Sequence, residues 1–181
     1  PRLAEDLEAD TLYFGRTYDP AGRDTEQAVE TAFTDRSVSL ESLNTRLLQE
    51  PWEVKNGSGR PFQVFTPYWR KSRAGFYREP AKYSLKTLSF SNLKSDEVGL
   101  DELELLPDHD WHLKLSGHWD VSEKAAHKLI QRTAEVITRS YATARNIPSK
   151  DGTSRLSPYL AWGLVSPRQI CQAVLTADNE G

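Results

Sequence analysis

Methionine is missing altogether from this sequence, and cysteine occurs once, at Cys171. A chain that opens at Pro1 without an initiator is expected to be trimmed, or to be a piece of something longer. A single thiol excludes an internal disulfide and any multi-cysteine zinc site, which argues against a stapled secreted scaffold and for a reducing compartment; the cytoplasm is expected. No apolar run approaches the roughly 18–20 residues of a membrane span, and the acidic opening PRLAEDLEAD is unlike a signal peptide. The histidines His109, His112, His118 and His127 form no ligand set, so no metal is expected, and the lack of an apolar span leaves no membrane partner expected. Low-complexity and collagen-like classes fail on composition.

What is there is 181 residues, 38% hydrophobic and 27% charged, enough chain for one core or for parts of two. The net charge of −3 hides an alternation of sign. Residues 1–50 carry 5 basic and 11 acidic side chains, 51–90 carry 8 and 2, 91–127 carry 3 and 9, and 128–181 carry 7 and 4. Such blocks offer an anionic partner one part of the surface and repel it from the rest, although most charge runs are solvated faces.

Residues 1–50 read as alternating helix and strand. Leu3 and Leu7 mark a short helix, TLYFGR at 11–16 a strand, DTEQAVETAF at 24–33 a helix with Asp24 as N-cap, and VSLESL an apolar and polar alternation that suits a second strand. Helix, strand, helix, strand implies βαβ logic and a parallel sheet, because parallel neighbours need a crossover helix. Residues 51–115 read as an irregular connector, broken by Pro51, Asn56, Gly57, Gly59, Pro61, Pro67, Gly75, Pro80 and Pro107. It interleaves Trp52, Phe62, Phe65, Tyr68, Trp69, Phe76 and Tyr77 with Arg60, Arg70, Lys71, Arg73 and Arg78. That pattern suits a nucleic-acid platform, or aromatic anchors that hold a long connector to a larger body; the sequence leaves both open.

From Trp119 the pattern turns helical. Asp120 with Glu123, or Ser122, caps a helix whose apolar positions Ala126, Leu129, Ile130, Ile137, Tyr141 and Ala144 recur at helical spacing up to Pro148. Tyr141 and Arg145 then leave the same face one turn apart. After it comes SKDGTSRLSPYLAWGLVSPRQICQAV, with Ser157 before Pro158 and Ser166 before Pro167, each pair reading as a serine N-cap and a proline at the first helical position. The hydroxyls of Thr153, Ser154 and Ser157 would then gather with free N–H groups at a helix start, with no carboxylate among them and with Gly152 admitting a close approach. That is a phosphate-binding arrangement, though not a P-loop, and on the residues alone these hydroxyls serve equally as plain caps.

The string GTSRLSPYLAWGLVSPRQ resembles the flavin-phosphate segment of the DNA photolyase and cryptochrome family, of the class I cyclobutane pyrimidine dimer type. In the same order VFTPYWR (64–70) resembles that family's connector motif, LLQEPWEVKNGSGRPFQ (47–63) the stretch before it, and LYFGRTYDPAGRD (12–24) the last strand of its antenna domain and the helix after it. The resemblance implies the C-terminal part of a Rossmann-like parallel-sheet α/β antenna domain at 1–50, an interdomain connector at 51–115, and at 116–181 the all-α start of the FAD-binding domain. It implies a deoxyribodipyrimidine photo-lyase in which blue light drives electron transfer from FAD to a cyclobutane dimer flipped out of UV-damaged DNA, or a cryptochrome-type photoreceptor with the same flavin site, or an inactive piece. A monomer is expected.

By the same resemblance Thr153, Ser154, Arg155, Leu156 and Ser157 bind the cofactor phosphates through hydroxyl and main-chain donors. Tyr141, twelve residues before Thr153, also contacts the flavin, and Arg145 contacts the DNA backbone. Outside the resemblance, Tyr141 reads as a core aromatic, and Arg145 and Arg155 as surface or capping cations. Leu164 and Val165 stand where the family often has Glu-Ile, a difference of packing. The short turn at Ala21 and Gly22 lacks the polar pair of folate antennas, which leaves room for a second antenna chromophore and argues against the folate type. Trp162 reads as a core or cavity-wall residue. The adenine and isoalloxazine contacts and the tryptophan electron-transfer chain of the family would fall outside these residues.

Overall fold

The two strands lie side by side in the computed structural model, which describes residues 1–75, 86, 88–91, 99–106 and 108–179. After a short helix α1 (Arg2–Asp6) come strand β1 (Thr11–Gly15), helix α2 (Pro20–Phe33) and strand β2 (Ser39–Leu43). The strands pair in parallel, with Thr11 opposite Ser39 and Gly15 opposite Leu43, and α2 is the crossover that parallel pairing demands. The helix begins earlier than Asp24. Asp19 caps it by accepting the Gly22 N–H at 2.9 Å, and Pro20 opens it. An Asp-Pro pair supplies both the acceptor and the preset φ, so Ala21 and Gly22 lie in a helical turn and not in a loop, and Asp24 sits inside the helix.

The end of β1 is tied to the next segment through Arg16. Its guanidinium donates to the Ser42 hydroxyl at 3.1 Å and the Ser42 carbonyl at 2.6 Å, pairs with the buried Glu50, and lies 5.2 Å over the Trp52 ring. Tyr18 donates its hydroxyl to the other Glu50 oxygen at 2.9 Å. Burial, then the hydrogen bond to Glu50, pushes the Tyr18 phenol up to about 12. Nearby, the Thr17 hydroxyl and N–H both donate to Glu26 and hold its carboxyl below the usual range.

The segment expected to be irregular contains helices. α3 (Phe65–Ser72) forms with Pro67 at its third position, where the missing N–H is one of the orphan donors of a helix start, and with Arg70 and Lys71 in the last turn, where cations suit the dipole. A 3₁₀ turn at Leu100–Leu103 and α4 (Trp111–Ser116) follow. The aromatics of α3 are surface-rich, Phe65 stacking on Trp69 with centroids 6.4 Å apart. With Phe62, Tyr68, Val54, Pro167 and Cys171 they line a cavity of about 820 Å³. Burial raises the Cys171 thiol. Phe76, Tyr77, Arg78, Pro80 and Pro107 lie outside the described residues.

The helical part opens with α5 (Glu123–Arg132), capped by Ser122, whose hydroxyl accepts the Ala125 N–H at 3.1 Å. The expected single helix then gives way to a π turn at Thr133–Ile137 before α6 (Thr138–Ala144). Two hydroxyls compete with the backbone ladder here: Thr133 donates to the Leu129 carbonyl at 2.7 Å and Thr138 to that of Ala134 at 2.8 Å. α7 (Ser157–Ala161) and α8 (Pro167–Asn179) follow. Ala126, Ile130, Leu156, Tyr159 and Val165 form the core, with Leu129, Leu160, Leu164, Ile170 and Ala173 against it. Tyr159 anchors the start of α5 by donating to the Asp120 carbonyl at 2.7 Å. Trp162 is not a core residue: it is 85% exposed at the lip of an open apolar groove shared with Trp119, Val121 and Leu164. Among the described residues, no helix is long and apolar enough to cross a membrane.

Candidate functional site

The loop that joins α6 to α7 carries the motif, and its shape follows from three constraints. The first is Gly152, which is buried. A Cβ there would lie 2.6 Å from the Ala144 Cβ, 2.7 Å from its carbonyl carbon and 2.9 Å from its oxygen. The close approach expected toward a ligand is therefore made to the last turn of α6, and it holds the loop against the turn that carries Tyr141 and Arg145.

The second constraint is Asp151. Its carboxylate meets Arg132, at the end of α5, at 2.7 Å and Arg155 at 3.2 Å. The cluster expected to be free of carboxylates thus has one at its edge, shared between two guanidiniums. The third is Arg155 itself, whose φ of +54° lies in the left-handed region, a conformation that a residue with a Cβ adopts at a cost of about 1–2 kcal/mol.

Past that reversal the Leu156 side chain enters the core, while Thr153 and Ser157 face solvent. Among the described residues their hydroxyls take no protein partner; the Ser154 hydroxyl accepts the Leu156 N–H at 3.4 Å. Any contact of Leu156 with a ligand would therefore run through its main chain. Ser157 is not the N-cap of α7. The Leu156 carbonyl accepts the first helical bond, from Leu160 at 3.0 Å, Ser157 is the first helical residue and Pro158 the second. With five residues α7 has little dipole to offer, so an anion here would rest on hydroxyl and amide donors. The second Ser-Pro start is as expected: Ser166 accepts the Gln169 N–H at 3.2 Å and gives its own N–H to the Gln169 side chain at 2.7 Å, with Pro167 opening α8.

Tyr141 is 44% exposed and is not a core aromatic; the Arg145 guanidinium lies 5.2 Å over its ring. Ile137, the last residue of the π turn, and Ala144 in α6 are buried, while Tyr141 between them stays partly open to solvent. Arg155 also borders a cleft of about 570 Å³ with His118, Lys128 and Tyr159.

A profile of the DNA photolyase family matches residues 1–85. The chain is 30% identical over 172 residues to a deoxyribodipyrimidine photo-lyase of Agrobacterium fabrum, covering 94% of this chain and 36% of that one. The crystal structure of a bacterial class III photolyase from Agrobacterium tumefaciens superposes with a TM-score of 0.83 at 31% identity, over 95% of this chain and 36% of the other. The chain is similar to the DNA photolyase and cryptochrome family over nearly its whole length. Cryptochromes are among its relatives as well: Cryptochrome-2 of Arabidopsis thaliana is 28% identical over 172 residues, 91% of this chain and 28% of that protein. The chain thus spans about a third of the length of the photolyases it matches.

Of the family motif, residues 153–156 lie in the loop, Ser157 opens α7, and Gly152 seats the loop on the end of α6. Sequence reasoning missed Asp151 and Arg132. The spacing of Asp151 four residues before Arg155 was a visible signal for the first pair; the second, nineteen residues away, had none.

Proposed function

We propose that this sequence is part of a deoxyribodipyrimidine photo-lyase that binds FAD and uses blue light to split cyclobutane pyrimidine dimers in UV-damaged DNA. The observation that supports it most is the segment of residues 153–157, whose Thr153 and Ser157 are exposed and whose hydroxyls take no protein partner among the described residues. Donors of this kind fit a phosphate or pyrophosphate group. In this reading Thr153 and Ser157 hold the cofactor phosphates with their hydroxyls, Ser154 and Arg155 contribute main-chain N–H groups, Leu156 lends its main chain to the loop through its N–H on the Ser154 hydroxyl, and Tyr141 borders the cofactor. FAD, when bound, supplies the light-absorbing electron donor. Arg145 pairs with a backbone phosphate of the lesion strand, which positions the DNA without reading its sequence. The dimer leaves the stack to reach the site. The protein acts as a monomer in the cytoplasm, with room for an antenna chromophore other than a folate.

The likeness to Cryptochrome-2 favours a second reading, a photoreceptor with the same flavin site and no repair. The two part on one experiment. The protein expressed from its own gene is illuminated with blue light in the presence of dimer-containing DNA, and the remaining dimers are counted. Their loss supports repair; a flavin signal with dimers intact sinks it in favour of the photoreceptor. The 181 residues alone are expected to hold FAD weakly or not at all, because they offer a phosphate cradle and little to enclose the ring system; stoichiometric yellow protein would refute that.

A further inference from the structure

We propose that Asp151 is a positioning residue of the phosphate loop: by bridging Arg132 and Arg155 it holds Arg155 in its left-handed conformation and so turns Thr153 and Ser157 toward the ligand. The proposal rests on the phosphate reading of this loop given above. Its basis is geometric. One carboxylate spans the end of α5 and the loop, at 2.7 Å to Arg132 and 3.2 Å to Arg155, and Arg132 reaches the Asp151 main-chain carbonyl at 3.4 Å as well. Arg155, four residues on, sits at φ +54°, where a side chain other than glycine's needs an outside restraint. Gly152, between them, is fixed against Ala144. The loop is thus held at both ends, by packing at Gly152 and by charge at Arg155, and the free hydroxyls lie on either side of the held residue.

The ion pairs are partly exposed, with side-chain accessibilities of 35% for Arg132, 48% for Asp151 and 59% for Arg155. Pairs so placed contribute little to global stability. Their effect is local: they weight one backbone conformation of a short loop against others. A second effect runs the opposite way for an anionic ligand. Asp151 is itself negative beside a phosphate site, so simple Coulomb reasoning makes its removal favourable to anions. The two roles therefore predict changes of opposite sign, and a substitution separates them.

The test is a titration of the flavin-free protein expressed from its own gene with inorganic pyrophosphate, followed through the amide resonances of Thr153, Ser154 and Leu156, in wild type, Asp151→Asn, Asp151→Glu and the double variant Asp151→Asn with Arg155→Gly. Positioning predicts that Asp151→Asn weakens pyrophosphate binding about threefold to tenfold despite the gain of positive charge, the upper figure corresponding to about 1.4 kcal/mol. Asp151→Glu restores most of it by keeping the carboxylate. The double variant recovers binding too, since glycine takes the left-handed conformation unaided. The amide to α-proton coupling of Arg155 shifts away from its left-handed value in Asp151→Asn and keeps it in Asp151→Glu, a readout that a general loss of folding would not produce selectively. Tighter or unchanged binding in Asp151→Asn overturns the proposal while leaving the phosphate reading intact. Wild type that fails to titrate overturns the phosphate reading, and the proposal falls with it.

Discussion

Replacing Glu50 by glutamine removes the charge that joins Arg16, Tyr18 and the segment after β2 while keeping the shape of the side chain. Glu50 is 9% exposed and Arg16 26% at their side chains, so water can compensate the loss only in part. Breaking a fully buried pair by removing one partner costs about 3–5 kcal/mol. Here Arg16 retains both bonds to Ser42 and its place over Trp52, and the amide oxygen still accepts from Tyr18, so the expected cost is about 2 kcal/mol. For a chain of this size that corresponds to a fall of roughly 4–8 °C in Tm. The assay is urea unfolding followed by circular dichroism, with the slope against urea unchanged and the midpoint lowered. A double-mutant cycle with Arg16→Met and Glu50→Leu is expected to give a coupling of about 1–2 kcal/mol, the double apolar variant being less damaged than the sum of the singles. A change below about 0.5 kcal/mol for Glu50→Gln, within the range of an ordinary surface substitution, would refute the reasoning, because it would mean the network holds nothing together.

Two further outcomes follow from the same geometry. The Tyr18 phenol is raised from 10.0 to about 12, so its contribution is complete below pH 10 and is lost as the pH climbs from 10 to 12. The ultraviolet absorbance of tyrosinate, compared between wild type and Tyr18→Phe, is expected to show one late-titrating phenol, and a Tyr18 that ionises with the exposed tyrosines contradicts the assignment. Gly152→Ala places a methyl group inside contact distance of the Ala144 backbone, and overpacking of this kind is expected to cost about 1–3 kcal/mol, read as a lowered thermal midpoint. An alanine variant as stable as wild type would mean the loop is not held against α6.

The βαβ order, the π-interrupted helical segment and the two Ser-Pro starts were legible to different depths, and the differences have physical causes. Strands and amphipathic helices announce themselves through periodicity, which is why β1, β2 and α5 lie where the pattern puts them. Caps are chosen among competing acceptors, and Asp19 outranks Asp24 because a proline follows it. α3 was hidden by Pro67, which breaks a helix interior but is harmless in a first turn. The π turn has no apolar signature at all; the hydroxyls of Thr133 and Thr138 turn back on the ladder there, as threonines of the regular helix α2 also do. At the candidate site the motif names the hydroxyls of Thr153 and Ser157, and both residues are exposed. The role of Gly152 was misjudged because a glycine's missing Cβ says that something comes close, not what. Asp151 escaped because its partner Arg132 is distant in sequence, and only the fold brings them together.

The central claim is that residues 153–157 hold the phosphates of a flavin cofactor. Its most direct test is the FAD content of the protein expressed from its own gene, wild type against Thr153→Val with Ser157→Ala, measured as flavin absorbance per protein after purification. The account predicts a flavin-bearing wild type and a folded double variant that has lost most of its FAD, its affinity lowered about tenfold or more for two lost hydrogen bonds to a charged group. A folded double variant that retains FAD as fully as wild type would contradict it.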